Sequence, residues 1–308
     1  MTPETRPAAR FEPLHDAHAI DQALFAVQFA QPLDDGTFQQ AIDVTEPYSG
    51  ELPSKQDFPG FPGLPGIPAF NVPMFPVGVA VPALAGQLGI LSGGGILSSP
   101  GQQTPPPPTV RIMRSIRRDG TTENELKVER SSVSFRTTAY EGWDITWGKV
   151  SNYFRELLPI YATTATVASI GLTYVDKFVW TGAIETCLPS LLLRDDSIYV
   201  SPYVYDITEL WHNHTGHFIR ASNVIKRLLN VNVDYIEENV GQTPRRVVGI
   251  TTVVTDLLNQ PTYDQLDLHG ASLEDFCVGQ ITQLHGLSKQ VFGRVINDAM
   301  CNRIGLTE

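Results

Sequence analysis

The sequence predicts an α+β fold, mainly antiparallel sheets packed by a few long helices. Three observations predict it. Runs with period-two alternation outnumber helical segments. They fall in consecutive groups with turn residues between them, whereas a doubly wound sheet needs strands and helices to alternate one by one. Each strand group is closed by one amphipathic helix, which suggests two pseudo-repeated β-rich halves.

The first strand is QALFAVQF, residues 22–29, with Ala23, Phe25, Val27 and Phe29 on one face. PLDDGTFQQAID follows, and its Asp-Asp-Gly-Thr start reads as a helix N-terminus. VRIMRSIRRDGTTENELKVERSSVSFRTT gives two or three antiparallel strands, with a turn at Asp119–Gly120 and another at Arg130–Ser132. A helix is expected over 144–158. Asp144 is its cap, Trp147, Val150, Phe154, Leu157 and Leu158 form its core stripe, and Pro159 marks its end. TVASIGLTYVDKFVW, 166–180, is a long strand, and SIYVSPYVYDI a Pro-interrupted edge strand.

HFIRA is a short strand. RLLNVNVDYIEE and RRVVGITTVVTDLL form a hairpin across GQTP, and the second reads as a doubly covered central strand. From Ser272, which resembles a capping box with Asp275, a helical period runs almost to the end, with Gly286 a point where it could bend. Four segments follow from this pass: 1–57, the N-terminal strand and helix of the core domain; 58–108, a Pro/Gly-rich apolar insertion; 109–180, the remainder of the first half; and 181–308, the second half with its long helix.

The chain has 308 residues and a formal net charge of −11. That balance argues against a nucleic-acid partner, which needs clustered Lys and Arg. Arg111, Arg114, Arg117 and Arg118 are the local exception and read as the exposed face of a strand. Cys187, Cys277 and Cys301 are odd in number and widely spaced, so no disulfide framework is expected and the reducing cytoplasm is the expected location. The first residues lack the apolar core of a signal peptide.

The insertion carries no charge, but its prolines and glycines prevent a membrane-spanning helix. Disordered segments are poor in large apolar residues, and this one holds Phe58, Phe61, Phe70, Phe75 and Leu84. It is read as a flexible loop whose apolar side chains dock on a protein partner or a second copy.

WHNHTGH supplies His212 and His214, on one face if extended, and His217, which joins them if Gly216 turns the chain. Three imidazoles suit zinc or another transition metal. The surrounding composition is loop-like, which favours solvated histidines. No phosphate-cradling loop or nucleophile elbow occurs, so no cofactor is expected.

Tyr140, Trp143, Phe154, Gly171, Leu172, Tyr174, His285 and Phe292 carry a further pattern. They lie in RRDGTTENELKVERSSVSFRTTAYEGWDITWGKVSNYF, VASIGLTYVDKF and LHGLSKQVFGRVI. In this order they resemble a sporadically distributed family of bacterial proteins whose function is not established. The chain departs from that pattern at Ser169, Thr173 and Asp176, where basic residues and Asn are expected. The resemblance implies structural roles for these residues and an accessory role in conflict, defence or toxin-neutralising systems. His285 is read as a half-buried histidine bonded to a carbonyl. The resulting expectation is a non-enzymatic protein-binding or scaffold protein. The alternatives are a metal-dependent enzyme at the histidine cluster and a self-assembling structural protein.

Overall fold

A computed structural model describes residues 10–59, 108–240, 243–266 and 271–306. Its centre is a ten-stranded sheet, antiparallel at every pairing among the described residues. The strands are β1 (Phe11–Pro13), β2 (Ile20–Phe29), β3 (Ser54–Pro59), β4 (Pro108–Ile116), β5 (Thr122–Glu129), β6 (Ser132–Thr137), β7 (Val167–Trp180), β8 (Trp211–Arg220), β9 (Ile225–Val240) and β10 (Thr243–Leu258). Their spatial order is β3-β4-β5-β6-β2-β7-β10-β9-β8, with β1 on the end of β7. The helices are α1 (Asp35–Asp43), α2 (Trp143–Tyr161), α3 (Ala271–Gly293) and α4 (Asp298–Arg303).

Alternation builds the covered face. Phe25, Val27 and Phe29 of β2, Leu172, Tyr174 and Phe178 of β7, and Val248, Ile250 and Val254 of β10 are all buried. The long helices close over them, α2 against β6 and α3 against β7 and β10, and they also touch one another. Trp147 of α2 stacks on Phe25 with centroids 5.7 Å apart, and Phe292 of α3 stacks on Phe178. No helix is long and apolar enough to cross a membrane among the described residues.

The turns follow from their residues. Gly120 sits at φ 86°, where a side chain is strained, and closes the β4–β5 turn. Asp34 caps α1 by accepting from the Thr37 amide at 2.9 Å.

Several expectations are corrected. The segment 197–207 holds a 3-10 turn, Pro202–Asp206, instead of an edge strand. The carbonyl of Tyr199 is taken by the side chains of Asn213 and Thr215, which leaves no ladder to extend. Helix α2 begins after Gly142, so Asp144 stands in its first turn, and Pro159 lies inside the last turn, where only one internal bond is lost. Helix α3 passes through Gly286 without ending. The capping reading at Ser272 falls outside the described side chains. WHNHTGH is strand rather than loop: β8 pairs with β9 from Trp211 to Arg220.

The arginine group is not one exposed face. Arg111 is buried and donates to Asp57 at 2.8 Å and to Glu46 at 2.7 Å, while Arg114 pairs with Glu125 from the other face of β4. The insertion leaves and re-enters a hairpin, since Phe58 pairs with Val110 and Pro59 with Pro108. Phe58 is 45% exposed. Phe61, Phe70, Phe75 and Leu84 lie outside the described residues.

Candidate functional site

A cleft of about 350 Å³ opens where β7, the loop before α2, α3 and the end of the chain meet. Its floor is β7. Alternation places Tyr174 and Asp176 side by side on the helix-covered face, and both are buried. One wall is α3, whose helical spacing brings His285, Ser288 and Phe292 to the same side. The other wall is Tyr140, Gly142 and Trp143. Gly142 has φ 101°, which turns the chain into α2 and lays Trp143 against the opening. His18 of the β1–β2 loop closes the rim. It accepts from the Ile20 amide on Nδ1 at 3.2 Å, so Nε2 carries the proton and donates to the Tyr140 carbonyl at 3.0 Å.

His285 is the best-held group. Its ring lies parallel to Trp143, interplanar angle 2° and centroids 3.8 Å apart. Trp147 and then Phe25 continue the stack. Burial, and then Lys289, lower the His285 pKa to about 4, so the ring is neutral at pH 7. Burial holds the Tyr174 hydroxyl protonated far above its ordinary range. The Tyr174 hydroxyl and His285 Nδ1 are hydrogen-bonded at 3.0 Å. Tyr140 meets Tyr174 edge-on, and burial raises its own pKa to about 12.

Asp176 is the anomaly. It is 3% exposed, and no hydrogen bond reaches its carboxyl among the described residues. Burial first, and Asp21 second, push its pKa up to about 8. The nearest lysine in sequence, Lys177, points to the other face and pairs there with Asp21 and Glu238. A carboxyl without partners is costly to bury. Here it sits at the edge of an open cleft beside two tyrosines and a neutral histidine, where a ligand can reach it.

The eight residues of the sequence pattern separate into two sets. Tyr140, Trp143, Tyr174, His285 and Phe292 line the cleft. Phe154 and Leu172 are core, and Gly171 faces the opposite side of the sheet, where an added Cβ would stand 3.3 Å from Thr255 Oγ1. The expected carbonyl partner of His285 is corrected to the Tyr174 hydroxyl, because α3 crosses β7 at that strand's inner face. Asp176 was missed as a site residue. Its signal was present: a carboxylate in step with Leu172, Tyr174 and Phe178 on an apolar face.

The histidine cluster is split. His212 and His214 share the outer face of β8, and Asp234 of β9 meets both. His217 lies on the opposite face, its ring parallel to Tyr199. The ladder runs straight through Gly216, which pairs with Asn230, so no turn brings His217 back. Cys187 and Cys277 are buried free thiols, as expected of packing residues.

No protein-family model and no curated protein matches the chain.

Proposed function

We propose that the chain is a binding protein whose cleft takes a small molecule bearing an amine, amidine or guanidine group, with Asp176 as its counter-charge. One observation carries the reading: a buried carboxyl with no hydrogen-bond partner among the described residues, at the edge of an open, aromatic-lined cleft. A cationic donor entering there supplies both the charge and the hydrogen bonds that the fold withholds. Tyr174 and neutral His285 shape the wall, and His285 adds a second polar group for the ligand. The chemistry asked of the site is recognition.

The test is a thermal-melt series with primary amines, diamines, amidines and guanidines on wild-type and Asp176→Asn protein. A ligand at a hundred times its dissociation constant stabilises by about 2.7 kcal/mol, a rise of several degrees in melting temperature. The rise should appear for at least one class in the wild type and vanish in Asp176→Asn. Equal responses in both proteins, or none in either, would refute the assignment.

A second reading, docking of a protein partner or a second copy, draws support from β8. It ends the sheet, and its Phe218 and Ile219 are exposed. We keep with it the proposals of an accessory role in defence or toxin neutralisation, a cytoplasmic location and a pseudo-duplicated origin of the two halves. Sizing chromatography against concentration tests self-association.

A further inference from the structure

We propose that His212, His214 and Asp234 form a first-row divalent metal site on the outer face of the sheet, separate from the cleft. The three donors come from two paired strands. His212 stands directly opposite Asp234, and His214 is two residues along the same face. Their ligand atoms all lie within 4.8 Å of one another. His212 Nδ1 is 2.7 Å from Asp234 Oδ1, and His214 Nε2 is 3.4 Å from the same oxygen. Donors at about 2.1 Å from a tetrahedral metal are about 3.4 Å apart. The second separation already matches, and the first needs to open by about 0.7 Å, within reach of a rotation of the exposed His212 side chain.

Two further observations point to a cation. The Asp234 side chain is 5% exposed, and its only partners among the described residues are these two imidazoles. A buried carboxylate whose neighbours are two imidazoles is a place where a bound cation supplies compensating charge. A divalent ion is held through imidazole nitrogens and a carboxylate oxygen, the donor types present here. On the next strand, Asp234 pairs with Gly249, so no side chain crowds the carboxylate from that side. The histidines are half exposed, 50% and 56% at their side chains, so the remaining coordination positions open to water. Two histidines and one carboxylate with open positions suit zinc, cobalt, nickel or ferrous iron, whereas magnesium and calcium prefer all-oxygen sites.

Titration of untagged protein with Zn²⁺ by calorimetry, and with Co²⁺ by visible absorption, tests the site. One equivalent should bind, and His214→Ala and Asp234→Asn should each weaken binding more than tenfold. His217→Ala, on the opposite face, should leave the affinity within twofold. His214 is exposed, so its truncation leaves the fold intact even if Asp234→Asn does not. Absence of stoichiometric binding by the wild type would overturn the proposal. So would binding that survives His214→Ala, or that depends on His217.

Discussion

Asp176 and His285 both line the cleft, and burial disfavours the charged form of each, with opposite consequences for pH. The folded-state pKa of Asp176 is raised to about 8. Its contribution is fully present below the unfolded carboxyl value near 4, and is lost as pH rises toward 8, because the folded chain holds a proton that the unfolded chain releases. Asp176→Asn keeps the shape and removes that loss. Urea unfolding at about pH 5 and about pH 8 should show the variant gaining on the wild type by roughly 2–4 kcal/mol at the higher pH. Parallel curves would mean that the carboxyl is compensated after all. His285 has a depressed pKa, so its contribution is present above about 6.5 and is lost as pH falls toward 4. Its imidazole resonances should therefore titrate near pH 4, and the Trp143 emission should change in the same interval, since the rings are stacked. A midpoint near 6.5 would contradict the burial. Tyr174→Phe removes the hydroxyl bonded to His285 Nδ1 and should cost about 1 kcal/mol in a denaturant titration.

Helix α2 holds the site wall at one end and the core at the other. Its own Phe154 is fully buried, edge-on to Trp147. Phe154→Ala should cost about 3–5 kcal/mol by urea unfolding, the usual range for a large core truncation. Gly142 carries a different constraint. Nothing lies within 4 Å of an added Cβ, so only the φ of 101° opposes a side chain. Gly142→Ala should therefore cost about 1–2 kcal/mol, or else shift the start of α2 and with it Trp143. Loss of the stacked Trp143–His285 signature in the near-ultraviolet circular dichroism would report the second outcome. A neutral Gly142→Ala would show that the turn is not held as described.

At the scale of the whole molecule, one continuous sheet collects strands from both ends of the chain, with β7 between β2 and β10. The insertion joins the paired ends of β3 and β4, where Pro59 meets Pro108. Replacing 60–107 by a two-residue Asn-Gly turn should leave the fold intact. The shorter connection should raise stability by about 1–3 kcal/mol, from loop-closure entropy alone. A lost or lowered melting transition would show that the segment packs on the core. The strands and long helices were legible because their periodicity is local: Phe25, Val27 and Phe29 report a strand without reference to any partner. The Pro202 segment was misread because the groups competing for its backbone, Asn213 and Thr215, lie on β8 and are invisible to a local pattern.

By itself, the sequence determined the class of the fold, the run of its strands and the apolar stripes of α2 and α3, since each depends on residue spacing along one element. Which polar residues meet depended on the tertiary structure. Strand register alone set Asp234 opposite His212 and sent His217 to the other face. Helix packing alone brought His285 to Tyr174, residues 111 positions apart in the chain. Both are long-range contacts chosen by how the sheet and helices bury their apolar faces, and no short-range pattern encodes that choice.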